Sequence, residues 1–278
     1  MLLYHTSNGP VAEINGKYYQ AGSQNWDEYL NDDSLFEKLS ALEKEENLTT
    51  FDEGSILKPI QSQELWACGV TYLRSKVGRQ EESKASGGAD FYGRVYEAER
   101  PEVFFKATAP RVVGTNQNVR IRRDSVWDVP EPELTLCVSS SGKIIGYTIG
   151  NDMSSRSIEG ENPLYLPQAK TYDKCAALGP GIMVLDKPID PDTQISLEII
   201  RDNAVVFYGD IQINQLKRTL PELVGFVFRE ASFPHGCFIM TGTGIVPSSD
   251  FTLEEGDKIN ISIQGIGTLV NFVEKKPL

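Results

Sequence analysis

The sequence is short of several features, and each shortage excludes a class of protein. It has no run of about 18 apolar residues, so no segment is predicted to span a membrane. Its 27 lysines and arginines are outnumbered by 39 acidic residues, and the net charge of −12 leaves no basic surplus to neutralise nucleic-acid phosphates. The first residues lack the basic segment and apolar core of a secretory signal. We therefore expect a cytoplasmic protein that binds neither membranes nor nucleic acids.

Cysteine and histidine are also scarce. The cysteines are far apart and include no C-x-x-C pair, so we expect reduced, buried thiols. Only His5 and His235 could supplement such isolated thiols, which argues against a zinc site. His235 follows a proline and is predicted to lie in a turn at a strand entrance. The cysteines are Cys68, Cys137, Cys175 and Cys237.

The chain divides into a small N-terminal region and a larger remainder. Residues 1–62 are predicted as an α+β region, with a hairpin that turns at Asn15-Gly16 and a helix that begins at a capping box of Ser34 and Glu37. Residues 63–278 are mostly short strand candidates rich in Val, Ile, Phe and Tyr. Because βαβ alternation is sparse, we predict a mainly β fold with some α, in the form of a mixed, mainly antiparallel β-roll or barrel.

Two helices are predicted within the larger region, at Phe91–Arg100 and at Thr219–Glu230. The second begins with a Thr219 cap and has Pro221 in its first turn. The segment Lys76–Asp90 is polar and ends in two glycines. This composition suits either a solvated loop or a mobile lid over a site.

The most informative pattern is a pair of glutamates followed by an aspartate. Glu131 and Glu133 are two residues apart in an extended stretch, so their side chains point to one face. The next strand candidate, Lys143–Asn151, returns after a hairpin-length link and brings Asp152 toward the pair. Oxygen ligands without a nearby His or Cys suit a hard cation such as Mg²⁺, Mn²⁺ or Ca²⁺. On spacing alone, a solvated acidic surface competes with this interpretation.

Several motifs in the same order resemble the fumarylacetoacetate hydrolase superfamily. The resemblance runs from about Trp66 to Val273. It comprises the E-x-E … G-Y-x-x-x-N-D-x-S core at Pro130–Leu134 and Gly146–Ser154, the lysine segment at Gln168–Lys170 with Ala177–Pro180, the T-G-T strand at Cys237–Thr243, and the closing strands at Glu255–Asn271. This resemblance implies an FAH-like catalytic domain at residues 63–278. It also implies that Glu131, Glu133 and Asp152 hold the metal and that Lys170 binds substrate.

One departure from the family pattern bears on the reaction. Many members have G-x-N-Y-x-x-H at the start of the catalytic domain, whereas this chain has Thr71 in place of the asparagine and Ser75 in place of the histidine. Without that histidine, the usual base for water attack is missing. The segments around Tyr72, Phe104 and Asp152 resemble the branch of 2-keto-3-deoxy-D-arabinonate dehydratases. The resemblance implies a metal-dependent hydro-lyase that removes water from a 2-oxo-3-deoxy sugar acid through a metal-stabilised enolate.

The resemblance also suggests roles for individual side chains. Lys170 is the expected catalytic and substrate-binding cation, because it can stabilise the negative charge that develops on the 2-oxo group. Ser75, Arg74 and Thr243 are expected to orient the substrate. The sequence does not identify the base that removes the substrate proton. A hydroxide on the metal, Lys170 and the carboxylates of Glu81 and Glu82 are the candidates.

Two alternatives and an assembly state follow from the same resemblance. The first alternative is a hydrolase or decarboxylase of an acylpyruvate or β-diketo acid, in which another group replaces the histidine. The second is a non-catalytic member that only binds a ligand. The expected partner is a small 2-oxo acid, and the expected assembly is a homodimer or homotetramer.

Overall fold

Stretches rich in Val, Ile, Phe and Tyr form most of the strands, because branched and aromatic side chains pack well on a pleated surface. The structure, a computed structural model, describes residues 1–22, 25–44, 47–82 and 89–277, without the side chains of residues 79–82 and 89–92. The strands are β1 (Leu2–Thr6), β2 (Gly9–Ile14), β3 (Lys17–Gln20), β4 (Glu64–Gly69), β5 (Glu102–Thr108), β6 (Val112–Val113), β7 (Gln117–Ile121), β8 (Asp128–Val129), β9 (Pro132–Val138), β10 (Ile144–Asp152), β11 (Ser154–Ser155), β12 (Ala176–Met183), β13 (Gln194–Arg201), β14 (Ala204–Gln212), β15 (Cys237–Met240), β16 (Lys258–Ile263) and β17 (Gly267–Lys275). The helices are α1 (Trp26–Tyr29), α2 (Leu35–Ala41), α3 (Leu73–Glu82), α4 (Ala89–Glu97), α5 (Arg156–Glu161), α6 (Leu166–Lys170) and α7 (Leu220–Val227).

Two large sheets contain most of these strands. The order in the first sheet is β3-β2-β1-β12-β10-β9-β15-β4-β5, and β6 lies beside β12. The order in the second sheet is β14-β13-β16-β17-β7, while β8 and β11 form a separate pair. The pairs β6–β12, β4–β15 and β7–β17 are parallel, and the other neighbours are antiparallel. This is the mixed, mainly antiparallel β architecture with some helix that the sequence predicts.

The first sheet has apolar side chains packed against both of its faces. On β9, Leu134, Leu136 and Val138 belong to a core that includes residues of the second sheet, whereas Cys137 belongs to a core that includes the N-terminal residues. Every residue of β9 is buried. A charged side chain on this strand therefore lies in the protein interior, where it needs a counter-charge or a metal.

The N-terminal region extends the first sheet, since β1 pairs with β12 in the register Leu3↔Ile182. The predicted hairpin is confirmed as β2 and β3, and its turn residues Asn15 and Gly16 have φ values of 53° and 75°. Both lie in the left-handed region that two-residue hairpin turns require. The predicted division between residues 1–62 and 63–278 stays a prediction.

Two local predictions are wrong. The helix α2 begins after Ser34, but the Ser34 side chain caps no helix N–H and instead donates to Asp32 Oδ1 at 2.7 Å. The Ser34 backbone, at φ −103° and ψ 24°, is also outside the extended region that is typical of an N-cap residue. In the polar segment Lys76–Asp90, residues 76–82 belong to α3 and residues 89–90 to α4, so the loop interpretation is wrong for these parts, whereas the lid stays a prediction. Residues 83–88 of the predicted lid lie outside the described residues.

The two predicted helices of the larger region are confirmed as α4 and α7. The Thr219 hydroxyl accepts a hydrogen bond from Glu222 N–H at 3.3 Å, and the Glu222 carboxylate accepts one from Thr219 N–H at 3.4 Å. This reciprocal capping box fixes where α7 begins. Among the helices of the described ranges, none is both long and apolar enough to cross a membrane.

A surface ion cluster joins the parallel strands β7 and β17 and provides a test of the fold. Glu274 accepts from Arg120 at 2.7 Å, from Lys174 at 2.8 Å and from Asn118 at 2.9 Å. Partial burial acts to raise the pKa of Glu274, but these donors outweigh it and lower the pKa from 4.5 to about 2.

Replacing Glu274 with Gln should therefore lower the free energy of unfolding at pH 7 by about 1–2 kcal/mol, since solvent screens part of the effect. A carboxylate with a lowered pKa in the folded state stabilises the fold above its unfolded pKa. The difference between wild type and variant should therefore shrink as the pH falls from about 4.5 to about 2. Urea unfolding across this range measures it, with the exposed Glu255→Gln as control. A difference that does not change with pH would contradict the prediction.

Candidate metal centre

The adjacent ends of β9 and β10 bring the three predicted acids together. Glu131 N–H donates to Asp152 O at 3.2 Å, and Asp152 N–H donates to Glu131 O at 2.9 Å. Glu133 pairs with Gly150 in the same register. Because side chains two residues apart share a face of a strand, the three carboxylates point to one side. Their oxygens lie within 4.8 Å of one another.

All three acids are buried, and Glu133 shows the electrostatic consequence. Its carboxylate accepts a hydrogen bond from Gly242 N–H at 2.6 Å. Burial raises the pKa of Glu133, the carboxylates of Asp152 and Glu131 raise it further, and the charge of Lys170 opposes them. A divalent cation among the three acids would offset this repulsion. A set of carboxylate oxygens without nitrogen or sulfur is the donor set that a hard cation prefers, so the residues present fit such a metal.

Buried cations hold the other two acids. Lys170 Nζ bonds Glu131 Oε2 and lies 3.0 Å from Asp152 Oδ2. Lys106 Nζ lies 2.5 Å from Asp152 Oδ1, and Arg156 Nη2 lies 2.6 Å from Glu131 Oε1. Burial acts to raise the pKa of Asp152, but Lys106 and Lys170 outweigh it and lower that pKa. Asp152 is therefore held in its ionised form.

Lys106 and Arg156 were not selected from the sequence, although one signal pointed to the lysine. Lys106 stands in the apolar run of β5, between Phe105 and Ala107, and is completely buried. A lysine in the middle of an apolar strand is almost never buried without a partner, so it indicates a nearby carboxylate. For Arg156, the first residue of α5, the pattern gives no comparable signal.

Gly242, in the segment Thr241–Thr243, provides the backbone donor to Glu133. Its φ is 94°, and a Cβ there would lie 2.0 Å from Thr71 Oγ1 and 2.9 Å from Cys68 O. Glycine is therefore required at this position, both for the backbone conformation and for the close approach. The predicted T-G-T motif thus closes one side of the acid cluster.

A small cavity opens beside the acids. Its lining combines the acid cluster, hydroxyl groups and a few apolar side chains: Cys68, Gly69, Val70, Ser75, Phe104, Glu131, Glu133, Asp152, Lys170, Gly242 and Thr243. A larger and mainly apolar cavity of about 760 Å³ lies elsewhere, near the start of α7, and none of its described lining residues also lines the first. We place the site in the smaller cavity, because the charged groups that can bind and polarise an acid converge there.

Three of the four residues predicted to contact substrate lie at this cavity. Lys170, Ser75 and Thr243 line it, and the two hydroxyls also make local hydrogen bonds. The Ser75 hydroxyl donates to Tyr72 O at 2.7 Å, and the Thr243 hydroxyl donates to Ile245 O at 3.2 Å. Arg74 is exposed and does not line the cavity, so a contact from it to substrate stays a prediction. The side chains of Glu81 and Glu82 lie outside those described.

Glu102 is a further acid beside the cavity that sequence reasoning missed. It shares one face of β5 with Phe104, which lines the cavity. Its carboxylate occupies the space over Gly69, where a Cβ would lie 1.8 Å from Glu102 Oε2. Strand alternation in β5 indicated that Glu102 and Phe104 share a face. The neighbouring residues did not indicate that this face lies on the same side of the sheet as the acid cluster.

Comparison with known proteins places the chain in a family. A model of the fumarylacetoacetate (FAA) hydrolase C-terminal region matches residues 80–274. The chain belongs to the fumarylacetoacetate hydrolase family. The resemblance drawn from the spaced motifs is thereby confirmed, and the match includes the acid cluster and the lysine at position 170.

Curated relatives in the family include two dehydratases. The chain is 48% identical over 216 residues, 77% of this chain and 73% of the relative, to a "Probable 2-keto-3-deoxyxylonate dehydratase" of Haloferax volcanii. It is 40% identical over 250 residues, 88% of this chain and 84% of the relative, to the 2-dehydro-3-deoxy-D-arabinonate dehydratase of Saccharolobus solfataricus. The branch of the family indicated by the sequence is therefore confirmed.

Solved structures show the same fold. A 2-keto-3-deoxy-D-arabinonate dehydratase complexed with magnesium and 2,5-dioxopentanoate superposes with a TM-score of 0.83 at 33% identity, covering 100% of this chain and 99% of that one. The hexagonal crystal form of 2-keto-3-deoxyarabinonate dehydratase gives a TM-score of 0.85 at 34% identity, with the same coverage. The predicted FAH-like mixed β fold is confirmed.

Proposed function

We propose that the protein is a magnesium-dependent hydro-lyase that removes water from a 2-oxo-3-deoxy sugar acid. The observation that carries this proposal is the buried convergence of Glu131, Glu133, Asp152 and Lys170 on one cavity. Its substrate class comes from the two dehydratase relatives at 48% and 40% identity. The structural neighbour with magnesium and 2,5-dioxopentanoate supports the metal and the class of product.

In this proposal Glu131, Glu133 and Asp152 hold the metal. Mg²⁺ suits three carboxylates that leave further coordination positions to water and substrate, and Mn²⁺ or Ca²⁺ accept similar oxygen ligands. When bound, the cation supplies a Lewis acid that polarises the C2 carbonyl and acidifies the C3 protons.

The side chains around the acids bind and orient the substrate. Lys170 offers a buried ammonium to the negative charge that develops on the C2 oxygen, and a cation already fixed in a dry site stabilises such charge strongly. Ser75 and Thr243 line the same cavity, and their hydroxyls, which donate to Tyr72 O and Ile245 O, are suited to accept hydrogen bonds from the sugar hydroxyls. Phe104 lines the same cavity, where its apolar ring is suited to exclude water from the bound substrate.

Glu102 is the carboxylate that we assign to proton transfer, because it lies beside the cavity on the same strand face as Phe104. It takes one C3 proton, and the electron pair of that C–H bond forms a C2–C3 double bond while the carbonyl pair moves onto the C2 oxygen, beside Lys170. The C2 carbonyl then re-forms, and the C2–C3 pair becomes the C3–C4 double bond as the C4–O bond breaks. The proton is returned to the departing hydroxide, which leaves as water. The remaining hydroxy-enone of a five-carbon acid is an isomer of 2,5-dioxopentanoate, so proton transfers alone complete the reaction.

The two relatives' substrates have different names but closely related chemistry. Arabinonate and xylonate differ in configuration at C2 and C3. A 2-oxo-3-deoxy acid has lost both of those stereocentres, so its D-arabinonate and D-xylonate forms are one compound. The substrate question for this chain is therefore the configuration at C4 and the chain length.

The test is turnover by the purified, chelator-treated protein. With added Mg²⁺ and 2-oxo-3-deoxy-D-arabinonate, we expect aldehyde formation with kcat on the order of 1–100 s⁻¹, and its loss with excess chelator. The C4 enantiomer and an acylpyruvate serve as matched substrates. Pyruvate release from the acylpyruvate without aldehyde formation from either sugar acid would show that the hydrolase alternative is right.

We also propose a cytoplasmic location and a homodimer or homotetramer. The four free, buried cysteines suit a reducing compartment. The edge strand β14 exposes Val205 at 56% and Tyr208 at 60%, and an exposed apolar edge suits a second copy of the chain. Light scattering that gives the mass of one subunit, or recovery outside the cytoplasmic fraction, would contradict these proposals.

A further inference from the structure

Lys106 has a completely buried ammonium that the proposed reaction does not use. Its Nζ donates to Met153 O at 3.0 Å and to Lys170 O, and it lies 2.5 Å from Asp152 Oδ1. The two carbonyls accept two of the three N–H donors of the ammonium, and the Asp152 carboxylate neutralises its charge as a close ion pair. The ring of Tyr172 adds a face 5.9 Å from Nζ. The positive charge of Lys106 is thus compensated by protein groups alone.

Lys170 holds the same carboxylate in a different way. Its ammonium contacts side-chain oxygens, namely Glu131 Oε2 and Asp152 Oδ2. A lysine with side-chain partners can exchange them by rotation. Lys106 can leave only if two buried carbonyls lose their donor, which is costly in a dry interior.

The partners of Lys106 also connect the elements that form the site. Met153 follows Asp152 at the end of β10, and Lys170 is the last residue of α6. Lys106 itself lies on β5, which carries Phe104 into the cavity. One ammonium therefore links a metal-ligand strand, the helix of the substrate lysine and a wall of the cavity.

We propose that Lys106 is a positioning residue and the permanent counter-ion of Asp152. By occupying Oδ1, it leaves Oδ2 as the oxygen that Asp152 presents to a metal, and Lys170 is the cation that changes partners when a metal and a 2-oxo acid bind. The identity of the metal as Mg²⁺ rests on the proposed function. The distinction between a fixed and an exchangeable lysine rests on the contacts alone.

The test compares Lys106→Met with Lys58→Met. Lys58 is a matched control, since its Nζ donates to the carbonyls of Ala109 at 2.6 Å and Val112 at 3.0 Å and lies outside the acid cluster found among the described residues. By calorimetry, Lys106→Met should bind Mg²⁺ about 10- to 100-fold more weakly, as is typical when a group that orients a metal ligand is lost. At saturating Mg²⁺, kcat should fall while KM for the sugar acid changes less than about threefold. Lys58→Met should change Tm only.

Mg²⁺ affinity of Lys106→Met within about twofold of wild type overturns the proposal. If Lys106→Met does not fold, a crystal structure of the Mg²⁺-loaded natural protein decides. Lys106 should still form its ion pair with Asp152 Oδ1 and bond both carbonyls, whereas a displaced Lys106 or a metal bound through both Asp152 oxygens overturns the proposal. If Mg²⁺ binds but no 2-oxo-3-deoxy acid reacts, the proposed function fails and the calorimetric comparison still tests Lys106.

Discussion

Replacing Glu133 with Gln should lower metal-dependent turnover by more than about 1,000-fold while the fold stays intact. The substitution removes one ligand charge but keeps the shape and the acceptor for Gly242 N–H. Lewis-acid polarisation contributes several kcal/mol, and each 1.36 kcal/mol of barrier is a factor of ten in rate. Turnover at saturating Mg²⁺ measures the effect, and calorimetry should show that Mg²⁺ binding is weakened in parallel.

The same variant has a stability signature. The buried Glu133 carboxylate is repelled by two other acids, so removing its charge should leave the Tm of the metal-free protein unchanged or raise it. At the same concentration, added Mg²⁺ should then raise the Tm of wild type by mass action more than that of Glu133→Gln. The exposed Glu28→Gln serves as control and should behave as wild type. Activity of Glu133→Gln close to that of wild type would remove the metal-centre assignment.

Replacing Glu102 with Gln should lower kcat by about 100- to 10,000-fold, the usual contribution of a positioned general base. An amide fills the same space over Gly69 but cannot accept the C3 proton. Glu102 is not one of the three clustered acids, so Mg²⁺ affinity should stay within about threefold of wild type. This separation of kcat from metal binding distinguishes Glu102→Gln from Glu133→Gln.

Two further measurements test whether Glu102 is the group that removes the C3 proton. Exchange of the C3 protons with deuterated solvent, followed by NMR, should be lost with kcat if Glu102 removes those protons. The exposed Glu99→Gln, three residues earlier in the chain, controls for loss of charge in this region and should retain full activity. Fast C3 exchange in a Glu102→Gln variant that cannot complete the elimination would assign the carboxylate to the leaving hydroxyl instead.

The parts of the fold that were predicted correctly depend on neighbouring residues. The Asn15-Gly16 turn needs only two residues that tolerate positive φ, and the Thr219 capping box needs a threonine and a glutamate three residues apart. The Ser34 box failed with the same spacing, because the Ser34 backbone is not extended and its hydroxyl is oriented toward Asp32. Local rules therefore succeed only where the backbone adopts the conformation that they assume.

The strand β12 was missed, although it lies between β1 and β10 in the first sheet. Its sequence, Ala176–Met183, is rich in small residues and contains Gly179 and Pro180, which ordinarily argue against a central strand. The register of β12 with β10 shifts between Tyr147 and Ile149, opposite the stretch from Gly179 to Met183. Pro180 therefore lies where the regular pairing of the two strands is interrupted. Such a strand is stabilised by neighbours on both sides, which its own residues do not reveal.

The sequence by itself determined that Glu131 and Glu133 share a face, that a second strand returns to bring Asp152 near them, and that oxygen donors favour a hard cation. These conclusions follow from strand alternation and ligand chemistry, which act over a few residues. Only the tertiary structure decided that Lys106, Arg156 and Glu102 join the site. They lie on β5 and α5, and the packing of the whole sheet sets their distances to the acids. The physical reason is that a buried charge is stabilised by whichever opposite charge folding brings within reach, regardless of separation along the chain.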